Sequence, residues 1–254
     1  MIILKQESEI QQMKKGGEII GRFFEEVREL VRPGTPGEKI EEFARKFITS
    51  HGGYPSFLNY RGYPASICLS INDEVVHGIP FGKTIPEAGL VKIDIGVKYG
   101  CCHVDSAFTF VVGEIPRRAK KLVEITQKAL QEGIRAARKG NRVSDISRAI
   151  ERTVKPYRFG IIRKLVGHGV GFELHEDPEI PNYTSNRAYD PILKPGMTFA
   201  IEPMITLGTH KIKEMPDGWT IKTADGSWAA HFEHTVAITE EGTLVLTSPP
   251  EHHS

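Results

Sequence analysis

The stretch GHGVGFELHEDP, residues 167–178, sets two histidines seven positions apart among three glycines. An imidazole can hold a metal or move a proton near neutral pH. At that spacing His168 and His175 could share a helical face, yet each interior glycine costs a helix about 1 kcal/mol. The segment is therefore expected to be extended, its glycines letting the backbone come close to a bound molecule. Four carboxylates also stand inside apolar, strand-like runs: Asp94 in VKIDIGV, Asp105 in CCHVDSAFTFVV, Glu202 in MTFAIEPMI and Glu233 in HFEHTVAIT. Aspartate is depleted in strands. Carboxylates buried near one another raise each other's pKa or recruit a cation. Any one of these residues alone is better read as structural, an edge-facing acid or a satisfied histidine. Four acids and an imidazole together read as a metal site. Such a set can hold two divalent ions, about 3.5–4 Å apart when carboxylates bridge them. Its hard-to-borderline donors suit cobalt, iron, manganese or zinc.

The elements that must position these residues fall into a repeated pattern. From Ser8, the spacing of Ile10, Met13, Ile20, Phe24, Val27 and Val31 predicts a helix, with Ser8 and Gln11 as a capping box and Pro33-Gly34 at its end. Thr35 caps a second helix that carries Pro36 in its first turn and Ile40, Phe43 and Phe47 on its apolar face. Strands follow at 66–71, 91–97 and 101–112. A turn over 98–101 would set Asp94 directly opposite Asp105, with Cβ atoms about 5 Å apart. The order then restarts: a helix over 117–138, a break at Lys139-Gly140-Asn141, a helix from Ser144, and strands at 162–167, 197–205 and 231–239. AGLVKID (88–94) and PGMTFAIE (195–202) each run from a glycine through apolar residues to a carboxylate, a weak internal echo. Residues 178–196 and 206–218 read as loops, the second closing on an Asp217-Gly218 turn. We expect one domain over 1–254, built from two pseudo-symmetric halves, roughly 1–115 and 116–246.

The totals narrow the class of function. A chain of 254 residues with 39% hydrophobic and 26% charged residues can bury a substantial core. The +1 net charge, from 33 basic and 32 acidic residues, gives no global field toward nucleic acid or anionic membrane. Cys101 and Cys102 are adjacent and Cys68 is the third cysteine, so a disulfide framework is not expected and a reducing, cytoplasmic location is. No run approaches membrane-spanning length or the pattern of a secretory leader.

In combination, IDIG with Asp94, the second aspartate eleven residues on, GHGVG with LHEDP, IEP and FEHT closely resemble the type I methionine aminopeptidase family, from the Ser8 helix to about Leu246. The resemblance implies a pseudo-twofold pita-bread fold of the α/β (α+β) class, an antiparallel sheet with helices on its outer face. It implies that Asp94, Asp105, His168, Glu202 and Glu233 hold two ions, with Asp105 and Glu233 bridging. The implied reaction is hydrolysis of the first peptide bond of a chain that begins with methionine. Glu202 would then shuttle a proton, His175 would donate to the carbonyl oxygen, and His77 of NDEVVHGIP would contact the peptide near the scissile nitrogen. Phe57, Tyr60, Tyr63, Cys68, Leu174 and Trp219 match the methionine pocket. Leu174 and Phe57 depart from common bacterial choices, an aromatic and a small residue respectively, which bears on pocket shape. The resemblance also implies a monomer acting on peptides or nascent chains, with the ribosome as a candidate partner. No Cys/His-rich targeting module and no type II insertion are expected. The rivals are a proline-directed peptidase of the same fold, a non-catalytic pita-bread binding protein, and a dinuclear phosphoesterase, for which no phosphate-cradling motif is seen.

Overall fold

The strand Gly89–Tyr99 shows how the sequence builds this molecule. Val91, Ile93, Ile95 and Val97 alternate with Lys92, Asp94 and Gly96, so one face is apolar and the other carries the chemistry. The computed structural model describes residues 1–185 and 188–248. In it the apolar face packs under two helices, α1 (Glu7–Val27) and α2 (Gly37–Ser50), in one core with Met13, Ile20, Phe23, Ile40 and Ile48. The strand lies between Ile67–Ile71 and Cys102–Val112, with Tyr54–Pro55 added beside it, all antiparallel.

A second layer repeats the arrangement. Helices α3 (Arg117–Ala136) and α4 (Val143–Val154) cover a sheet ordered Thr243–Val245, His234–Ile238, Thr198–Ile201, Gly167–Gly169, Glu176–Ile180. Leu122, Ile146 and Ile150 from the helices meet Phe199, Ile201, Val236 and Ile238 from the strands. Two small three-stranded sheets complete the fold, Ala229–His231 with Met204–Thr206 and Gly160–Ile161, and Ile212–Glu214 with Ile221–Thr223 and Glu74–Val76. The two layers are stitched along residues 105–109 and 231–235. Asp105 N–H donates to Thr235 Oγ1 at 3.0 Å, Glu233 N–H to the Ala107 carbonyl at 2.9 Å, and His231 N–H to Thr109 Oγ1 at 2.9 Å. The site faces of both layers therefore meet, and the helices lie outside.

Several expectations change in detail. The hairpin turn has two residues, Gly100 and Cys101, because Tyr99 pairs with Cys102 and Gly100 takes φ +60, as a two-residue turn with glycine first allows. Asp94 thus pairs with Ala107 and Asp105 with Gly96, so the two acids sit diagonally on one face rather than directly opposite. Of the run 162–167, only Gly167 is in a strand; the preceding pairing is Gly160–Ile161 against Met204–Thr206, and Arg163 and Lys164 are exposed. The run 197–205 breaks at Glu202-Pro203, since proline cannot continue a hydrogen-bonded ladder. Phe232 and Glu233 likewise interrupt 231–239. Short strands occupy parts of both expected loops, at Glu176–Ile180 and Ile212–Glu214.

The helix starts also shift. Gln6, not Ser8, precedes α1, and its backbone N–H donates to Glu9 at 2.6 Å. Pro36, not Thr35, precedes α2, and Arg142 precedes α4 with Asp145 accepting its N–H at 2.7 Å. The helix α1 ends at Val27, ahead of Pro33-Gly34. The expected Asp217 turn is present: its carboxylate accepts the N–H groups of Trp219 and Thr220 at 2.9 and 2.8 Å.

Candidate metal centre

Cross-strand register brings the first acids together. Cys68, Asp94 and Ala107 are aligned across three neighbouring strands, with Asp105 two residues from Ala107 on the same face. The Glu202-Pro203 break lets the Glu202 side chain leave its sheet and point at this face. Ligand atoms of Asp105, His168 and Glu233 all lie within 4.8 Å of one another. His168 Nε2 is 3.5 Å from Asp105 Oδ2 and 3.8 Å from Glu202 Oε1.

The electrostatics of this cluster call for a cation. Burial, reinforced by Asp105 and Glu202, pushes Asp94 well above the usual carboxylate range. Burial raises Asp105, and burial followed by repulsion from Asp105, Glu202 and Asp94 raises Glu233 far more. Burial lifts Glu202 to about 8. Asp94 Oδ1 is buried without a hydrogen-bond partner. No Lys or Arg is ion-paired to these four acids among the described residues. His168 supplies the clearest sign. Its Nδ1 lies 2.9 Å from the Gly169 carbonyl, which can only accept, so Nδ1 carries the proton. In the neutral ring Nε2 is then a lone pair facing carboxylate oxygens, an arrangement that a metal ion between them resolves. The donor set, four carboxylates and one imidazole, fits a divalent cation.

The three glycines of GHGVG serve packing rather than access. A Cβ on Gly167 would meet the Ala200 carbonyl oxygen at 2.4 Å, one on Gly169 the Asp177 carbonyl oxygen at 2.2 Å, and one on Gly171 the Lys5 side chain at 2.1 Å. Close approach of neighbouring strands sets Gly167 and Gly169, and the Lys5 side chain sets Gly171.

The His168 and His175 rings lie 4.1 Å apart but have different hydrogen-bond partners. His175 stacks on Tyr60, and the Tyr60 hydroxyl is 3.0 Å from its Nδ1. Donation from that hydroxyl leaves the imidazole proton on Nε2. Burial, then His168, Arg61 and His77, lower the His175 pKa to about 3, so the ring is neutral. Burial, then His231 and His168, lower His77 to about 4. His77 adopts φ +57, a left-handed conformation that costs a non-glycine residue about 1–3 kcal/mol and persists where the surroundings enforce it.

All these residues line one cavity of about 170 Å³: Phe57, Tyr60, Tyr63, Cys68, His77, Asp94, Asp105, His168, Leu174, His175, Glu202, Trp219 and Glu233, joined by Arg61. Phe57, Tyr63, Ala65, Cys68 and Leu174 form a separate apolar cluster, with Tyr60, Ile79 and Trp219 packed on it. The Tyr63 hydroxyl is held 3.0 Å from the carbonyls of Ile67 and Gly78, and its ring meets Trp219 edge-on at 5.0 Å. Burial raises both the Tyr63 hydroxyl and the Cys68 thiol, so the pocket wall is uncharged.

Besides Arg61, three residues escaped the sequence reading. Ala65 and Ile79 extend the apolar cluster and carry no signal beyond hydrophobicity. His231 is 1% exposed, neither ring nitrogen has a hydrogen-bond partner, and its Nε2 stands 3.5 Å from Glu202 Oε2. It lies two positions before Glu233, in a run already marked by that carboxylate.

The comparisons agree with this geometry. The profile of metallopeptidase family M24 matches residues 11–240. The chain is 44% identical over 248 residues to methionine aminopeptidase 1 of Bacillus subtilis, covering 97% of this chain and 99% of that one. The crystal structure of methionine aminopeptidase from Thermotoga maritima superposes with a TM-score of 0.94 at 42% identity, over 98% of this chain and all of that one. Prolidase from Pyrococcus furiosus gives a TM-score of 0.80 at 25% identity, and the match covers only 66% of that chain. The chain belongs to metallopeptidase family M24, with the pita-bread fold, and within it to the methionine aminopeptidases.

Proposed function

We propose that this protein is a metal-dependent aminopeptidase that removes the N-terminal methionine from peptides and nascent chains. The observation that carries the reading is the placement of a buried, cation-requiring acid cluster against an uncharged apolar pocket within one cavity. Asp94, Asp105, His168, Glu202 and Glu233 would hold two divalent ions from the group cobalt, iron, manganese and zinc, with Asp105 and Glu233 shared. When bound, the ions acidify the attacking water and polarise the scissile carbonyl.

The remaining steps belong to side chains. Glu202 would take a proton from the attacking water and return it to the leaving amine. His175, neutral and held by Tyr60, offers its Nε2 proton to the carbonyl oxygen as negative charge develops there. His77, also neutral, faces the scissile nitrogen. Phe57, Tyr60, Tyr63, Cys68, Leu174 and Trp219 receive the methionine side chain. Leu174 and Phe57 are both buried in the pocket wall, where an aliphatic side chain at Leu174 takes less room than an aromatic and Phe57 takes more than a small residue. The same reading takes the chain as one catalytic domain with halves near 1–115 and 116–246, each with its own helix-covered core. It is monomeric and cytoplasmic, with the ribosome as a candidate site of action. No helix among the described residues is long and apolar enough to cross a membrane.

Cleavage of two peptides tests the proposal. Metal-reconstituted protein should release methionine from Met-Ala-Ser and no alanine from Ala-Pro-Ala. Release of alanine without methionine would favour the proline-directed alternative.

A further inference from the structure

Of the fourteen residues lining the cavity, only Arg61 and His175 are exposed. They therefore mark its mouth, while the acids and the apolar cluster close its inner end. Arg61 sits there at some cost. Its φ of 49 and ψ of 26 place an arginine in the left-handed region, between Asn59 at φ 64 and Gly62 at φ 88. The turn is closed by its own backbone, with Asn59 N–H donating to the Tyr63 carbonyl at 2.8 Å and Tyr63 N–H to the Tyr60 carbonyl at 2.9 Å. That conformation lays the guanidinium over the Tyr60 ring, 5.2 Å from its centroid, while the Tyr60 hydroxyl reaches His175. The Arg61 charge is felt at His175. Among the described residues no carboxylate pairs with it.

These features supply a fixed, permanently charged fork at the exit of a peptide-cleaving pocket, with no anion of its own. A guanidinium stacked on an aromatic face keeps its outer donors free and is preorganised for a carboxylate. A substrate whose amino end lies among the acids and whose carbonyl meets His175 must leave past Arg61. We infer that Arg61 is a specificity residue that reads a carboxylate on the leaving side of the scissile bond, either an acidic side chain or a nearby chain terminus. The inference rests on the reading of the site given above.

The ratio of kcat/KM values among three peptides tests it: Met-Ala-Ser-amide without a carboxylate, Met-Ala-Asp-amide with an acidic side chain, and Met-Ala-Ser with a free terminus. Because each ratio is taken within one variant, a general loss of activity cancels. The native protein should prefer one or both anionic peptides over the neutral amide by roughly 3- to 10-fold, the range for a partly exposed charge contact. Which peptide gains separates the side-chain source from the terminal one. The preference should shrink as salt rises from 0.05 to 0.5 M. Arg61→Lys should keep part of it and Arg61→Ala should abolish it. An undiminished preference in Arg61→Ala, or equal use of all three peptides by the native protein, would overturn the inference and leave the peptidase reading standing. No methionine release from any of the three would overturn both.

Discussion

Glu202 carries three properties that rarely coincide in one side chain. It ends a strand at a proline, its carboxyl is lifted to about 8, and its two oxygens face His168 and His231 at 3.8 and 3.5 Å. Burial without metal holds the proton on that carboxyl, and a cation beside it would lower the pKa and free the carboxylate to accept and return a proton. Glu202→Gln keeps the shape and removes the base. It should lower kcat by roughly 10²- to 10⁴-fold with a much smaller change in KM. Near-native kcat in that variant would remove the shuttle role. At this scale the sequence was readable where charge contradicts its surroundings. Asp94, Asp105, Glu202 and Glu233 each interrupt an apolar run, and that contradiction alone brought them forward. His231 and Arg61 were not legible, because nothing local distinguishes an orphaned imidazole from a satisfied one, or a strained surface arginine from a solvated one.

The elements matter most where they hold the segment between His168 and His175. Lys5, ahead of α1, crosses to the start of the strand Glu176–Ile180 and pairs with Glu176; the side chains are 1% and 5% exposed. Lys5 N–H also donates to the Gly196 carbonyl at 2.7 Å, and Glu176 accepts the Glu173 N–H at 3.0 Å. Removing one member of a buried pair leaves the other charge without compensation, a loss of about 3–5 kcal/mol. Lys5→Ala should lower stability by that order in urea denaturation, and the Lys5→Met, Glu176→Leu double variant should recover much of it. Equal stabilities for the single variant and the native chain would show that the pair contributes nothing. Element existence was legible from periodicity, whereas boundaries and register were not. The hairpin register turns on whether two or four residues make the turn at Gly100, a two-residue shift in pairing that keeps both acids on one face and that spacing does not decide. The run at 162–167 looked like a strand from its apolar residues, yet its pairing partner at Met204–Thr206 reaches only Gly160–Ile161. The GHGVG glycines suggest a substrate-facing backbone, yet what crowds them is strand backbone at Gly167 and Gly169 and the Lys5 side chain at Gly171.

The whole molecule stores unfavourable charge at its centre, and that has a consequence for stability. In the metal-free fold Glu202 keeps its proton up to about 8, and Asp94 and Glu233 are raised in the same direction. Unfolded carboxyls lose theirs near about 4. The folded state thus binds more protons between those values, and its stability falls as pH rises through them. The buried histidines work oppositely, but above about pH 6.5 they are neutral in both states. Lys92, lowered to about 7 by burial, opposes the trend above that value as one group against three. From pH 6.5 to 8, metal-free protein should therefore lose stability, by roughly 1–2 kcal/mol per unopposed carboxyl. Added manganese should raise the melting temperature more at pH 8 than at pH 6.5. A flat profile with equal metal stabilisation at both values would show that the buried acids do not hold their protons in the metal-free fold. The central claim is metal-dependent release of methionine, and the most direct measurement follows that release from Met-Ala-Ser by chelator-stripped protein as manganese, cobalt, iron or zinc is titrated back. The account predicts no release before metal is added and release that rises and saturates with at least one of these ions. Full activity in the stripped protein, or none with any of the four, would contradict it.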